Sequence, residues 1–346
     1  MIKRFLKTVV VFSASGIIVF IALLSSYIYY DPFKVIRKYH DYSYPHVITD
    51  RDYVSTEMFT KNYKKYHYDS FIFGSSRTTA FDPNTWRRYL APNASPYMFD
   101  ASSESLYGID LKLKILSSMH IPLKNIILVL CRDQTFNKSD NSSEHLYIKH
   151  PLLTGQSWFA FELTFFKAYS NPKFLWHFYE YTLTGTYKAS MKGYIENRRM
   201  RYDSTTNQQR IMDQEEEISK NPDGYYEKRK NLFYTRIGER TDSIQRIQKE
   251  HIVLLKEIKN ILEKNKANYK IVLSPLYEQV KFNKKDRDIL EELFPGHVYD
   301  FSGKNEFTDN VRNYYETSHY RLQIGDSILK TIYKGEPPKH NWRNRL

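Results

Sequence analysis

The sequence predicts an α/β domain built on a parallel sheet, with one membrane-spanning helix ahead of it. Three observations carry that expectation. Short apolar runs bounded by glycine, proline or polar clusters have the length of buried strands: "SFIF" at 70–73, "NIILVL" at 125–130 and "YKIVLSPL" at 269–276. Helical patterns lie between them, and strand–helix alternation favours a parallel sheet over a meander of hairpins. Residues 8–30, "TVVVFSASGIIVFIALLSSYIYY", form an uncharged run of 23 residues, where about 20 suffice to cross a bilayer as a helix.

In chain order the N-terminal run comes first. Lys3, Arg4 and Lys7 precede it, and Tyr27, Tyr29 and Tyr30 stand where an aromatic belt would meet the membrane surface. A cleavable signal peptide has a shorter apolar core that ends in a small-x-small site. Here Ser-Ala-Ser-Gly lies in mid-run and the far end is rich in tyrosine, so the segment reads as an uncleaved anchor. The basic N-terminus favours an orientation with that tip inside and the large domain outside the cytoplasm. Lys34, Arg37 and Lys38 follow the span and weaken the charge asymmetry.

Residues 31–66, rich in tyrosine and charge, read as a juxtamembrane connector with short helical or irregular pieces. The strand at 70–73 then stops at Gly74-Ser75-Ser76-Arg77. Residues 84–90 suggest a helix or turn, 97–99 a short strand, and 106–119 a helix, after which Pro122 restarts the chain into the strand at 125–130. From 150 to 187 the sequence turns aromatic, "SWFAFELTFFKAYSNPKFLWHFYEY" at its centre. This segment is either a helical insertion packed on the core or a surface that dips into the bilayer or grips a membrane partner. The "DQEEE" run within 200–240 reads as solvated charge rather than a site. Between 242 and 266, apolar residues at Ile244, Ile247, Leu254, Leu255, Ile258, Ile261 and Leu262 mark one face of an amphipathic helix. The α/β pattern resumes with the strand at 269–276, the short helix "RDILEELF", a strand near 297–303, and a last helix after "YETSHY". The expected division is a tip and anchor at 1–30, a connector at 31–66, core at 67–149, a helical insertion at 150–266, core again at 267–335, and a basic tail at 336–346.

The whole chain bounds the function. At 346 residues, 41% hydrophobic and 16% aromatic, it is long and apolar enough for a sizeable core and is not a disordered protein. The formal charge of +13 favours an anionic neighbour such as lipid head groups or an anionic polymer. The basic residues are scattered and no zinc-finger spacing or RNA-binding signature accompanies them, so no nucleic-acid partner is expected. The single cysteine, Cys131, excludes an internal disulfide and a thiolate metal cluster, and it reads as a small buried hydrophobe at a strand end. The 11 histidines are dispersed; no metal and no cofactor are expected.

Chemistry enters at the strand ends. In parallel α/β sheets, ligands bind outside the carboxyl ends of the strands, and the serines after Gly74 sit at such an end. A serine becomes an effective nucleophile when a base takes its proton and a third group orients that base. "YETSHY" places Glu316 three residues before His319, so one short loop supplies both. Arg77, beside the serines, is either an anchor for a substrate anion or carboxylate, or half of a structural ion pair.

Gly74-Ser75-Ser76 followed by a late acid-x-x-His resembles the SGNH/GDSL hydrolase superfamily, whose first block is a glycine, a variable residue and the nucleophilic serine. With its N-terminal anchor the chain is similar to the membrane-anchored, DltD-like acyl-transfer branch. The resemblance covers roughly residues 68–135 and 268–335. It implies a flavodoxin-like three-layer α/β/α fold and ester chemistry through an acyl-serine. Ser76 would be the nucleophile, His319 the general base and then acid, and Glu316 the orienter. The sequence departs from the pattern in three places. The acid is Glu316 where the family usually has aspartate. The second block, normally carrying an oxyanion-hole glycine, reads "DASSESLYG" and offers Ser102, Ser103 or Gly108. The third block reads "CRDQTF", leaving Asp133 and Gln134 where an asparagine is usual. The expectation is a serine esterase or O-acyltransferase acting on a cell-surface glycan or similar polymer, with a membrane acyl-donor protein implied by resemblance alone. The rival is a non-catalytic SGNH-derived adaptor that binds surface polymer or a membrane partner.

Overall fold

The computed structural model describes residues 2–137 and 144–334; the basic tail expected at 336–346 lies outside the described residues. Helix α1 (Ile2–Tyr30) is, among those residues, the one helix long and apolar enough to cross a membrane.

The domain is mixed α/β around one parallel sheet of five strands: β1 (Ser70–Gly74), β2 (Pro96–Met98), β3 (Asn125–Leu130), β4 (Asn268–Leu273) and β5 (Val298–Asp300). The strands lie in the order β2-β1-β3-β4-β5, and every neighbouring pair is parallel. Sheets of this kind are covered on both faces, which is why β1, β3 and β4 read as nearly unbroken apolar runs. Side-chain alternation divides them between two cores. Phe71, Phe73, Ile126, Leu128 and Ile271 face one, while Ile72, Ile127, Val129 and Val272 face the other.

The first core is covered by α2 (Arg51–Tyr66), α3 (Leu106–Ser118), the aromatic helices α4 (Trp158–Tyr169) and α5 (Pro172–Thr184), and α6 (Lys249–Lys264). After the short helix α7 (Lys284–Leu293), the last helix α8 (Leu322–Ile332) covers the second core with Ile324, Ile328, Leu329 and Ile332.

Two expected segments differ from what the structure holds. Residues 31–66 are more than a connector, because α2 is a 16-residue helix that packs on the sheet. Asp50 caps it by accepting from the N–H of Asp52 at 2.8 Å. Phe59 is fully buried and contacts the rings of Phe71, Tyr97 and Phe99, a burial worth roughly 1.5–3 kcal/mol. The amphipathic segment at 242–266 forms its helix only from Lys249. It belongs to the core as the crossover between β3 and β4, with Leu255, Ile258 and Leu262 buried. Ile244 lies outside that helix and is exposed.

A buried charge network ties α2 to the loop after β2. Arg51 pairs with Asp100 at 2.7 Å, and Lys112 of α3 lies between Asp52 and Glu104. Buried charges are tolerated only when paired in this way, so the loop that carries Ser102 and Ser103 is held from both ends.

Candidate functional site

The chain leaves β1 outward to β2 and then crosses back to β3, so the carboxyl ends of β1 and β3 flank the crevice where the strand order reverses. Gly74 ends β1 with φ +150°, and a Cβ there would stand 2.6 Å from the Val129 carbonyl oxygen. Only glycine lets the two strands meet at this point. Ser75 turns inward; it is fully buried with its Oγ 3.5 Å from Cys131 Sγ. Ser76 opens a 3₁₀ turn, Ser76–Ala80, and faces the other way. That turn is pressed by α8, where Gly325 fits because a Cβ would stand 1.8 Å from the Ala80 carbonyl oxygen.

Glu316 and His319 sit on a hairpin. Strands β6 (Tyr314–Glu316) and β7 (His319–Tyr320) pair antiparallel, with Glu316 opposite His319 and Thr317-Ser318 forming the turn. Directly opposed residues of a hairpin project from the same face, so the Glu-x-x-His spacing brings carboxylate and imidazole together.

Ser76 Oγ lies 2.8 Å from His319 Nε2. His319 Nδ1 hydrogen-bonds Glu316 Oε1, and the Ser318 N–H donates to Glu316 Oε2 at 2.7 Å. With Nδ1–H donated to a carboxylate, Nε2 is left as the acceptor for the serine hydroxyl. The extra methylene of Glu316, relative to aspartate, lets one oxygen reach the imidazole while the other folds back onto its own turn. Burial raises the Glu316 carboxyl, but the hydrogen bond and charge of His319, the Ser318 N–H and the Arg77 charge together hold it below its ordinary value. It therefore stays ionised beside the imidazole.

Arg77 forms an ion pair and also lines one cavity with Ser76 and His319. Its guanidinium grips Asp133 bidentately at 2.7 and 2.8 Å, and its Nε donates to the Ser318 carbonyl at 2.9 Å. It is buried, with a side chain 5% exposed. Arg77 thus ties the β1 turn, the loop after β3 and the Glu316–His319 hairpin together.

Of the oxyanion-hole candidates, Ser102, Ser103 and Gln134 line one cavity with Ser76 and His319. Gly108 does not. It lies in the first turn of α3, its N–H is taken by Ser105 Oγ at 3.3 Å, and it is packed against Glu104 and Lys149. Ser103 has φ +50°, which turns the loop sharply at the cavity edge. The Gln134 carboxamide oxygen is buried with no partner among the described residues. The Gln134 side chain lines the same cavity as Ser76.

The cavity measures about 630 Å³, within the range of small-molecule sites. Its far wall comes from the insertion, through Arg198, Tyr202, Arg210 and Glu215. Glu215 belongs to the "DQEEE" run read as solvated, yet it bonds the Tyr315 hydroxyl and pairs with Arg321 at 2.9 Å. Sequence reasoning missed this wall, and no local signal marks it, since these residues stand more than 100 positions from Ser76 or His319. No family model matches the chain, and no curated protein matches it.

Proposed function

We propose that this protein is a membrane-anchored, SGNH-like serine esterase or O-acyltransferase that works through an acyl-serine at Ser76 and acts on a cell-surface glycan or similar polymer. The observation that carries the proposal is the continuous hydrogen-bonded chain from Ser76 through His319 to Glu316 at the mouth of a cavity. The strand order 2-1-3-4-5 with helices on both faces supports the flavodoxin-like three-layer reading.

In the first half-reaction, His319 Nε2 takes the Ser76 hydroxyl proton as Oγ attacks the donor ester carbonyl. Glu316 steadies the imidazolium that forms. The tetrahedral intermediate carries its charge on the former carbonyl oxygen, for which the Gln134 carboxamide and the Ser102–Ser103 loop, lining the same cavity, are the candidate donors. Collapse breaks the ester C–O bond, the proton on Nε2 passes to the leaving alkoxide, and the acyl-serine remains. In the second half-reaction an acceptor hydroxyl, or water in an esterase, gives its proton to Nε2 and attacks the acyl carbon. Ser76 leaves and recovers that proton. A tethered domain meets membrane-bound or polymeric acceptors more readily than dilute metabolites, which favours the surface polymer. The basic flank of α1 favours a domain outside the cytoplasm, and reporter fusions beyond the domain test that orientation.

The chemistry is tested with a fluorophosphonate probe on purified protein. Labelling should appear on Ser76 and vanish in Ser76→Ala, while Ser75→Ala labels nearly as wild type because Ser75 is buried under the turn. His319→Ala should slow labelling by about 10²–10⁴, the usual worth of a general base. In cells, surface-polymer acylation that is unchanged by Ser76→Ala would defeat the enzyme reading and leave the adaptor.

A further inference from the structure

The aromatic segment at 158–184 has no part in the triad, yet its surface is unlike that of a soluble helical insertion. Helix α4, "WFAFELTFFKAY", buries Phe161, Phe165 and Tyr169 at helical spacing against the core. Its opposite side also carries apolar residues: Phe159 is 76% exposed and Leu163 is exposed one turn on, while Trp158, half exposed, packs its ring on His150 and Phe161. In α5, Trp176 and Leu183 are exposed at 69% and 83% while Phe174 and Phe178 are buried. An apolar helix face is ordinarily enclosed, by protein or by lipid. Here only one side is enclosed.

The hairpin of α4 and α5 is seated on α1. Phe166 meets the rings of Phe20 and Tyr27, and Tyr30 meets those of Phe178 and Tyr179. Ser26 Oγ lies 2.6 Å from the Tyr169 hydroxyl and also bonds that of Tyr179. A span takes about 20 residues, and every placement of such a window within Ile2–Tyr30 contains Phe20. The Phe166 ring, 5.8 Å from that of Phe20, therefore lies at hydrocarbon depth in any register of the span. Helix α4, with 12 residues, rises about 18 Å and is too short to cross.

We infer that the α4–α5 hairpin is a second membrane element, immersed in the leaflet around α1 with Phe159, Leu163, Trp176 and Leu183 facing lipid. The occupant of this apolar face is the acyl-chain region of the bilayer. Lys167 and Lys173 are exposed near the α4–α5 turn, and such long side chains reach head groups from a partly buried helix. Tyr181 of α5 packs on His46 at 5.8 Å between ring centres, and Ile48 and Thr49 just beyond line the cavity. Immersion therefore fixes how the domain stands over the membrane as well as how deeply it is tethered. The inference rests on α1 being the span and not on the catalytic proposal.

The test uses the full chain with Trp342→Phe, reconstituted into phosphatidylcholine vesicles whose acyl chains are either unmodified or brominated near mid-chain. Trp86 is fully buried in the sheet core and serves as an unquenched reference. Bromine quenches at contact, so the greater part of the Trp176 emission should be lost, and a smaller part of that of Trp158, whose ring is partly covered by His150 and Phe161. Trp158→Phe and Trp176→Phe should each remove a share of the quenching and together abolish it. Each single variant keeps one reporter, so the result is readable even where the double variant does not fold. Vesicle flotation checks the span separately. A chain that fails to float overturns the span and this inference with it. A chain that floats with equal emission in both lipids overturns the immersed hairpin alone and leaves that face to water or a protein partner. Quenching undiminished in the double variant overturns it as well.

Discussion

Replacing Arg77 by alanine separates a positioning arginine from a substrate anchor. Three hydrogen bonds are lost, two to Asp133 and one to the Ser318 carbonyl. Breaking a wholly buried pair costs about 3–5 kcal/mol, but the Asp133 side chain is 36% exposed and rehydrates. The stability loss therefore falls nearer the roughly 1–3 kcal/mol of hydrogen bonds to a charged group, seen as a melting temperature several degrees lower. The kinetic effect is larger in proportion. Ser318 is adjacent to His319, so freeing its carbonyl releases the hairpin that aims Nε2, and a misplacement of about 1 Å costs on the order of 10² in rate. The assay is labelling of Ser76 by a small uncharged fluorophosphonate at a temperature where the variant is folded. Arg77→Ala should label about 10²-fold more slowly. Arg77→Lys should fall between, since a lysine keeps the charge and lacks the fork. A folded Arg77→Ala protein that labels at the wild-type rate would refute positioning, because a neutral probe gives an anion anchor nothing to hold.

Three further outcomes follow from the same geometry. Gly325→Ala drives a methyl into the Ala80 carbonyl and should cost about 1–3 kcal/mol while slowing Ser76 labelling; a variant with unchanged melting temperature would show that α8 does not press the nucleophile turn. Gln134→Ala should lower ester turnover by about 10²–10³ in kcat, the usual worth of one oxyanion donor, with KM little changed; a pure KM effect would place the amide in substrate binding instead. Glu316 has a depressed native pKa against an ordinary 4.5, so its stabilisation is complete above that ordinary value and lost as pH falls through the lower native one. Glu316→Gln should be less stable at neutral pH and show a shallower loss of stability in acid; a limb as steep as wild type below the ordinary value would remove Glu316 from the acid response.

The parts of the fold legible in the sequence are those where a single physical demand dominates. Strands β1, β3 and β4 lie between two covered faces, and that demand writes a continuous apolar run whatever the neighbours are. Helix α2 was hidden because its own stripe is mixed. Arg51 and Asp52 are buried only through partners at Asp100, Lys112 and Lys149, and a buried ion pair looks like surface charge in one dimension. "DQEEE" misled for the same reason at Glu215, whose partners Tyr315 and Arg321 lie about 100 positions on.

The site follows the same division. Gly74-Ser75-Ser76 announces itself because the close approach of Val129 admits no side chain at 74, and the turn that follows must present one serine inward and the next outward. Glu316-x-x-His319 states a spacing but not a geometry, since three residues apart fits a helix turn, a loop or a hairpin equally well. In the structure it is a hairpin, whose turn Arg77 holds through the Ser318 carbonyl. The neighbour of Ser76 in sequence thus holds the turn beside His319, more than 240 positions away, and each half of the Ser76–His319–Glu316 chain is interpretable only through the other.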